Sequence, residues 1–143
     1  VVSRGKLARV IRIEAAIDGE VLQLFAADGA IISTATGSTA YSLAAGGPIL
    51  APTVRTLVLT LISPYLSPIN SLVMPEGATV SLQVHSQNNP ILTIDGQADY
   101  ELQDGDVVET KASPHRARFA RLESRGYFYR TLVNRLRESD DGD

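Results

Sequence analysis

Asp-Gly pairs recur at Asp18-Gly19, Asp28-Gly29, Asp95-Gly96 and Asp104-Gly105; they cut this chain into short apolar segments and commit it to a strand-rich fold. Asp and Gly both tolerate positive φ, so each pair predicts a tight turn. Between and around the pairs lie strand-like segments: Leu7 to Ile17, Val21 to Ala26, Ala30 to Ser33, Ile91 to Ile94, Val107 to Ala112 and Arg116 to Leu122. Thr79 to Val84 alternates, with Val80, Leu82 and Val84 on one side and Thr79, Ser81 and Gln83 on the other, as a half-buried strand requires. Leu57 to Ile62 is nearly all apolar, the pattern of a strand covered on both faces. Many short strands separated by turn signals predict packed sheets.

Two helices interrupt the pattern. A short one is predicted over Thr39 to Ala45, stopped by Gly46-Gly47-Pro48. A second runs from Tyr127 to Arg137, where Phe128, Leu132 and Leu136 recur every four residues with Tyr129 and Val133 beside them, a core-facing stripe. The aromatic cluster Tyr127, Phe128 and Tyr129 reads as core. Residues 138–143 form an acidic, frayed tail.

Size and composition narrow the function. A chain of 143 residues is the size of one domain and buries a core without staples. It has no cysteine, which excludes a disulfide framework and a thiolate metal site. No apolar run approaches the roughly 20 residues that span a bilayer, and no signal-peptide core follows Val1, so no membrane partner is expected. The abrupt start on strand-like sequence suggests a domain of a longer, cytoplasmic protein. A net charge of −3 argues against general nucleic-acid binding, although eight of the 13 Lys and Arg residues fall between Lys111 and Arg137. That run reads either as a solvated face or as a patch toward phosphates or a partner. His85 and His115 sit in different segments without ligand spacing and read as surface residues, so no metal ligand is assigned.

The chemistry sits in the segment from Asp28 to Pro48, which reads as strand, Gly/Ser/Thr turn and short helix. Gly37 admits a ligand close to the backbone. The first amides of the helix lack intrahelical partners, and the hydroxyls of Thr36, Ser38 and Thr39 can cap them or hold a polar ligand. Tyr41 adds a flat ring for packing against a base or amide. The segment is not a P-loop, because no Lys follows Gly37, and it is not a nucleophile elbow, because Gly-x-Ser-x-Gly is absent.

Asp28-Gly29 through Ser33-Thr34-Ala35-Thr36-Gly37-Ser38-Thr39-Ala40-Tyr41-Ser42 to Gly46-Gly47-Pro48 closely resembles the signature of the NAD kinases. Arg4-Gly5-Lys6, Asp95-Gly96-Gln97, Leu102 to Val108 and the helix from Phe128 to Leu136 resemble further parts of that family's C-terminal domain. The resemblance implies a mainly β, two-layer sandwich of the NAD kinase and diacylglycerol kinase superfamily, with residues 1–137 as one domain. It implies phosphorylation of the adenosine ribose 2′-hydroxyl of NAD to give NADP, with ATP or polyphosphate and a divalent metal such as Mg. By position, Thr39, Ala40, Tyr41, Ser42, Leu43 and Ala44 would line the NAD site, and Gln97 and Arg9 would add nucleotide contacts. Asp28 would contact the dinucleotide, within one subunit or across a boundary between subunits of a dimer or tetramer. From the residues alone, Asp28 reads equally as a turn residue, Asp95 as a hairpin residue, and Arg9 as part of a solvated edge with Arg12.

This sequence departs from the family at Ala35 for Pro, Ala26 for a basic residue, Ser63-Pro64-Tyr65 for Pro-His, and Asn70-Ser71 for Arg-Pro. The family's Gly-Gly-Asp-Gly-Thr motif, which holds phosphates and supplies the expected base, is not in this sequence. Its Asn-Glu pair is expected before Val1. No catalytic residue is therefore assigned, and the fragment alone is expected to be inactive and at most a weak NAD binder. Two other readings stay open: the matching domain of a lipid or sphingoid kinase, and a stand-alone nucleotide-binding or oligomerisation module.

Overall fold

The computed structural model describes residues 1–5, 10–86, 88–117, 120, 122 and 126–138. The chain forms two compact units, Val1–Ala112 and Ser113–Asp143. In the first unit the strands are β1 (Val2–Ser3), β2 (Ile11–Ile17), β3 (Glu20–Ala27) and β4 (Gly29–Thr34). A 3-10 helix (Thr36–Thr39) and α1 (Tyr41–Ala44) follow, then β5 (Thr56–Ile62), β6 (Ser71–Pro75), β7 (Val80–His85), β8 (Ile91–Ile94), β9 (Ala98–Glu101) and β10 (Val107–Thr110).

All pairings are antiparallel. Six strands order as β6-β5-β4-β1-β8-β9 and four as β10-β7-β2-β3. Alternation along the strands builds the core between these sheets. Ile11, Ile13 and Ala15 on β2, Phe25 on β3, and Val80, Leu82 and Val84 on β7 meet Val2, Ala30, Leu57, Leu59, Leu61 and Met74 of the larger sheet. Because a side chain's face repeats every two residues, this inward set fixes the register; a one-residue slip would put Arg12 and Glu14 in the core. Strand β5 is buried on both faces, as its composition predicts: Leu57, Leu59 and Leu61 face the core, while Val58 and Thr60 lie on the opposite face and are also fully buried.

The Asp-Gly pairs resolve into three kinds of corner. Asp18-Gly19 (φ 51° and 86°) and Asp95-Gly96 (φ 50° and 66°) are the predicted left-handed hairpin turns, joining β2 to β3 and β8 to β9. Gly105 (φ 90°) follows β9 and turns the chain across to β10 in the other sheet. Asp28-Gly29 is not a tight turn. The chain bends at Asp28 and runs directly from β3 in one sheet into β4 in the other. Glycine is needed there for space, since a Cβ at Gly29 would lie 2.5 Å from the Val2 carbonyl oxygen and 3.0 Å from Ser3 Cα.

Other expectations shift. The first long strand begins at Ile11; residues 6–9, including Arg9, lie outside the described residues. The strand expected over 107–112 stops at Thr110. Of the strand expected over 116–122, residues 118, 119 and 121 lie outside the described residues and the others carry no strand. Strands β1, β6 and β9 were not anticipated. β6 and β9 are sheet edges and β1 has two residues, so neighbouring strands rather than their own patterns impose their conformation. Edge strand β3 carries a bulge: Ala15 pairs with Gln23 and Ala16 with Val21, leaving Leu22 unopposed. Such an irregularity disfavours pairing with another chain.

In the second unit, α2 (Tyr127–Glu138) has Phe128 and Leu132 half-buried. Tyr129 and Val133, predicted beside the core stripe, are 66% and 55% exposed. They sit one row further round the helix, and the Tyr129 ring packs edge-on against Phe128 at 5.2 Å. The side chain of Leu136 and residues 139–143 lie outside the described residues.

Candidate functional site

At the end of β4 the chain enters the small and hydroxyl-rich segment that the sequence singles out. The predicted single helix is two pieces. The 3-10 turn Thr36–Thr39 breaks at Ala40 (φ −101°, ψ −132°), whose N–H donates to the Gly37 carbonyl at 3.2 Å, and α1 begins at Tyr41. Neither N-cap residue, Ala35 or Ala40, supplies a side-chain cap, although the Gly37 N–H donates to Thr34 Oγ1 at 3.4 Å. The hydroxyls expected to cap are used otherwise. Ser38 Oγ donates to the Ala35 carbonyl at 2.7 Å and accepts from the Leu50 N–H at 3.1 Å. Thr39 Oγ1 reaches only the Thr36 carbonyl, at 3.4 Å.

Helix α1 is pinned to the outer face of the six-stranded sheet. Ser42 Oγ lies 2.8 Å from Thr60 Oγ1, and both residues are fully buried. A hydroxyl pair in that position satisfies two polar groups that would otherwise each cost about 1–3 kcal/mol. Thr60→Val should therefore destabilise the unit by roughly 1–3 kcal/mol by stranding the Ser42 hydroxyl, while Thr60→Ser should cost less; urea unfolding of both variants measures the difference.

The end of α1 explains Gly46-Gly47. The Gly47 N–H donates to the Ser42 carbonyl and the Gly46 N–H to the Leu43 carbonyl, each at 2.8 Å, with Gly46 at φ 85°. That is the paired closure by which helices often end on glycine. Asn70 Nδ2 donates to the Ala45 and Gly46 carbonyls, both at 3.2 Å, so the departure at Asn70 still serves the helix end.

With its polar groups anchored from below, the segment presents Thr39, Ala40, Tyr41 and Ala44 to solvent, Tyr41 with 53% of its surface exposed. Leu43 is half-buried and Ser42 is buried. A Cβ at Gly37 would meet only Ser33 Cβ at 3.4 Å and Thr34 Oγ1 at 3.9 Å, so packing alone does not demand glycine there.

The remaining predicted residues fall in two places. Ala30 and Leu92 both pair with Val2, so β4 and β8 run in the same direction on either side of β1. In that register β4 runs two residues further than β8, and the Asp95–Gln97 hairpin tip stands at the same end of the sheet as the 3-10 turn, about 10 Å across two strand spacings. Gln97 is exposed there, and its N–H donates to the Ile94 carbonyl at 3.0 Å. Asp28 precedes the other end of β4, six residues or about 20 Å of extended chain from Thr34. Its carboxylate lies 3.3 Å from Arg4 Nε, and its N–H donates to the Ile62 carbonyl. The departures at Ala26 and Tyr65 meet beside it, the Tyr65 N–H donating to the Ala26 carbonyl at 2.8 Å. Thus the chain groups Thr39–Ala44 with Gln97 at one end and sets Asp28 apart.

Sequence reasoning missed Thr60 and Asn70. Thr60 could have been noticed as a hydroxyl inside a strand otherwise built to be buried. Among the described residues, no group of three or more His, Asp or Glu could hold a metal ion, and no helix is long and apolar enough to cross a membrane. His85 and His115 are exposed. The α-amino group of Val1 is pushed below its ordinary value by burial, an effect that the Asp95 carboxylate opposes.

Residues 1–122 match the family model described as the ATP-NAD kinase C-terminal domain. An NAD kinase from Chloroflexus aurantiacus is 44% identical over 139 residues, covering 97% of this chain and 50% of that protein. Another, from Dehalococcoides mccartyi, is 42% identical over 141 residues, covering 99% and 50%. The chain thus spans about half the length of the curated relatives it matches. Among solved structures, an NAD kinase from Archaeoglobus fulgidus in complex with ATP superposes with a TM-score of 0.82 at 27% identity, covering 95% of this chain and 51% of that one. Yeast NADH kinase complexed with NADH gives 0.64 at 34% identity, covering 76% and 33%.

Proposed function

Since the chain belongs to the NAD kinase family as its C-terminal domain, we propose that it is the dinucleotide-holding half of an enzyme converting NAD to NADP. In that reaction the adenosine ribose 2′-hydroxyl attacks the terminal phosphorus of ATP or polyphosphate. A new P–O bond forms, the phosphoanhydride breaks, and the hydroxyl proton passes to a base. The observation that carries the reading is the anchored segment: Ser38, Ser42 and Thr60 hold it from below, and Thr39, Ala40, Tyr41 and Ala44 face outward.

Each described residue then has a role its surroundings permit. The Tyr41 ring packs against a flat part of NAD. Thr39 and the backbone at Ala40 offer polar contacts, while Leu43 and Ala44 add apolar ones. Ser42 acts from beneath, because its hydroxyl is engaged with Thr60. Gln97 reaches in from its hairpin tip, and Arg9 supplies a cation. Asp28, standing at the other end of its strand, serves the site of a neighbouring subunit in a homo-oligomer. Residues 1–137 work as one domain, in the cytoplasm.

Phosphoryl transfer relies on positioning and charge neutralisation, and the phosphate cradle and base are expected outside this sequence. A divalent metal finds no ligand set among the described residues, and no step is assigned to it. The test is NADP formation by a full-length enzyme carrying this domain, with the 143-residue chain assayed beside it and with ATP and polyphosphate both supplied. Activity in the full-length enzyme alone is expected. Activity in neither would overturn the proposal, and submicromolar NAD binding by the isolated chain in calorimetry would contradict its dependence on the missing half.

A further inference from the structure

The Asp-Gly pairs that shape the corners of the fold also carry a reactivity of their own. Glycine has no side chain to shield its nitrogen, so the carboxyl of the preceding aspartate can reach it. The Gly nitrogen then bonds to Cγ of the protonated carboxyl, the Cγ–OH bond breaks, and the hydroxyl leaves as water with the amide proton. Solvent water reopens the cyclic imide. Cleavage of the Cγ–N bond restores aspartate. Cleavage of the bond to the main-chain carbonyl carbon leaves the chain running through Cγ, one carbon longer and with no net change of mass.

A pair must leave its folded conformation to react, so the hydrogen bonds that hold it set its rate. Asp18 and Asp95 occupy matching left-handed hairpin turns, at φ 51° and 50°, and differ in what else holds them. The Asp18 N–H donates to the Thr79 carbonyl at 2.9 Å and its Oδ1 accepts the Thr79 N–H at 2.8 Å. Asp28 is fixed on both sides, its N–H donating to the Ile62 carbonyl and its carbonyl accepting the Arg4 N–H, each at 2.9 Å, with Arg4 Nε beside its carboxylate. At Asp104 the attacking nitrogen itself is engaged, since the Gly105 N–H donates to the Val84 carbonyl at 2.7 Å. Asp141-Gly142 lies outside the described residues.

Asp95-Gly96 has none of these restraints. Among the described residues its carboxylate accepts no hydrogen bond, and the turn is closed by a single one, from the Gln97 N–H to the Ile94 carbonyl at 3.0 Å. Ile94, Asp95, Gly96 and Gln97 are all exposed, at the tip of a hairpin whose outer strand, β9, is four residues long and forms the sheet edge. A Cβ at Gly96 would meet nothing within 4 Å, whereas Gly29 is crowded by the Val2 carbonyl. We propose that Asp95 is a site of spontaneous isoaspartate formation in the folded protein, selected over Asp18, Asp28 and Asp104 by the hydrogen bonds that hold those three. The added carbon breaks the two-residue turn and displaces Gln97, the residue that follows it.

The test ages the 143-residue chain in warm neutral buffer and, in parallel, in concentrated urea, with circular dichroism reporting that the sheets are present in the first sample and lost in the second. After proteolysis, aspartyl and isoaspartyl peptides of equal mass are separated by chromatography and told apart by electron-transfer fragmentation. In the folded sample isoaspartate should accumulate at Asp95 at least about threefold faster than at Asp18, Asp28 or Asp104, the factor that one further hydrogen bond supplies. In urea the rates should converge, because the dipeptide is the same at each position. Accumulation in the folded sample at Asp18, Asp28 or Asp104 that equals or exceeds that at Asp95, or none at Asp95, would overturn the assignment. The same preference for Asp95 in urea would overturn its structural cause. Neither sample needs nucleotide or activity, so failure here is distinct from failure of the kinase reading.

Discussion

Gly47→Ala is expected to destabilise the first unit by about 3 kcal/mol, the upper end of what overpacking costs, and to disorganise with it the segment proposed to hold the dinucleotide. A Cβ at Gly47 would lie 2.5 Å from Ser42 Oγ, 2.7 Å from Thr60 Oγ1 and 2.8 Å from the Ser42 carbonyl oxygen. None of these is the far end of a flexible chain: two are short buried hydroxyls bonded to each other, and the third accepts the Gly47 N–H. Relief requires separating the Ser42–Thr60 pair or opening the closure at the end of α1. Both responses detach α1 from the sheet, so stability and nucleotide binding should fall together. Urea denaturation with a tyrosine-fluorescence readout tests the first part. A midpoint within experimental scatter of the parent would show that the close approach at Gly47 is not structurally required. Coupling Gly47→Ala with Thr60→Ala separates the causes: the double variant should lose less stability than the two single costs added, because removing the Thr60 hydroxyl vacates one of the three clashing positions.

The same corner shows what the sequence could and could not reveal. Turn chemistry was legible where the turn is local: Asp18-Gly19 and Asp95-Gly96 adopt the left-handed pair that their composition favours. At Asp28-Gly29 an identical dipeptide does something else, because its glycine answers to β1, which approaches from elsewhere in the chain. Nothing in a local window carries that information. Strand periodicity found β2, β5 and β7, whose faces are set by burial, and missed β6 and β9, which are edges set by a neighbour. The family signature marked the hydroxyl-rich segment that follows β4. Its internal division into Ser38 and Ser42 below and Thr39 and Tyr41 above became visible only with the sheet beneath it, since hydroxyls of the same type take opposite roles by direction alone. The placement of Asp28 likewise follows from β4 running away from it, a consequence of register rather than of residue type.

Tyr41→Ala in a full-length enzyme carrying this domain is expected to raise the KM for NAD by roughly tenfold or more while leaving the fold intact. Loss of an aromatic stacking partner costs about 1–3 kcal/mol per base, and each 1.4 kcal/mol is a factor of about ten in affinity. The stability side of this expectation comes from the geometry. Tyr41 is 53% exposed, lies outside the hydrophobic core, and opens a helix whose attachment depends on Ser42 and the Gly46-Gly47 closure. Removing its ring therefore leaves the Ser42–Thr60 pair and the Gly46-Gly47 closure in place, unlike Gly47→Ala. Tyr41→Phe divides the effect further. If the ring face does the binding, phenylalanine should retain an NAD KM within about twofold of the parent; if the hydroxyl does, it should resemble alanine. The decisive readout is the pair of values, NAD KM and unfolding midpoint, measured on the same preparations. An unchanged KM in Tyr41→Ala would remove the ring from the site and with it the assignment of the exposed face of α1 to the dinucleotide. A fallen midpoint would mean instead that Tyr41 supports the segment structurally, a role its exposure argues against.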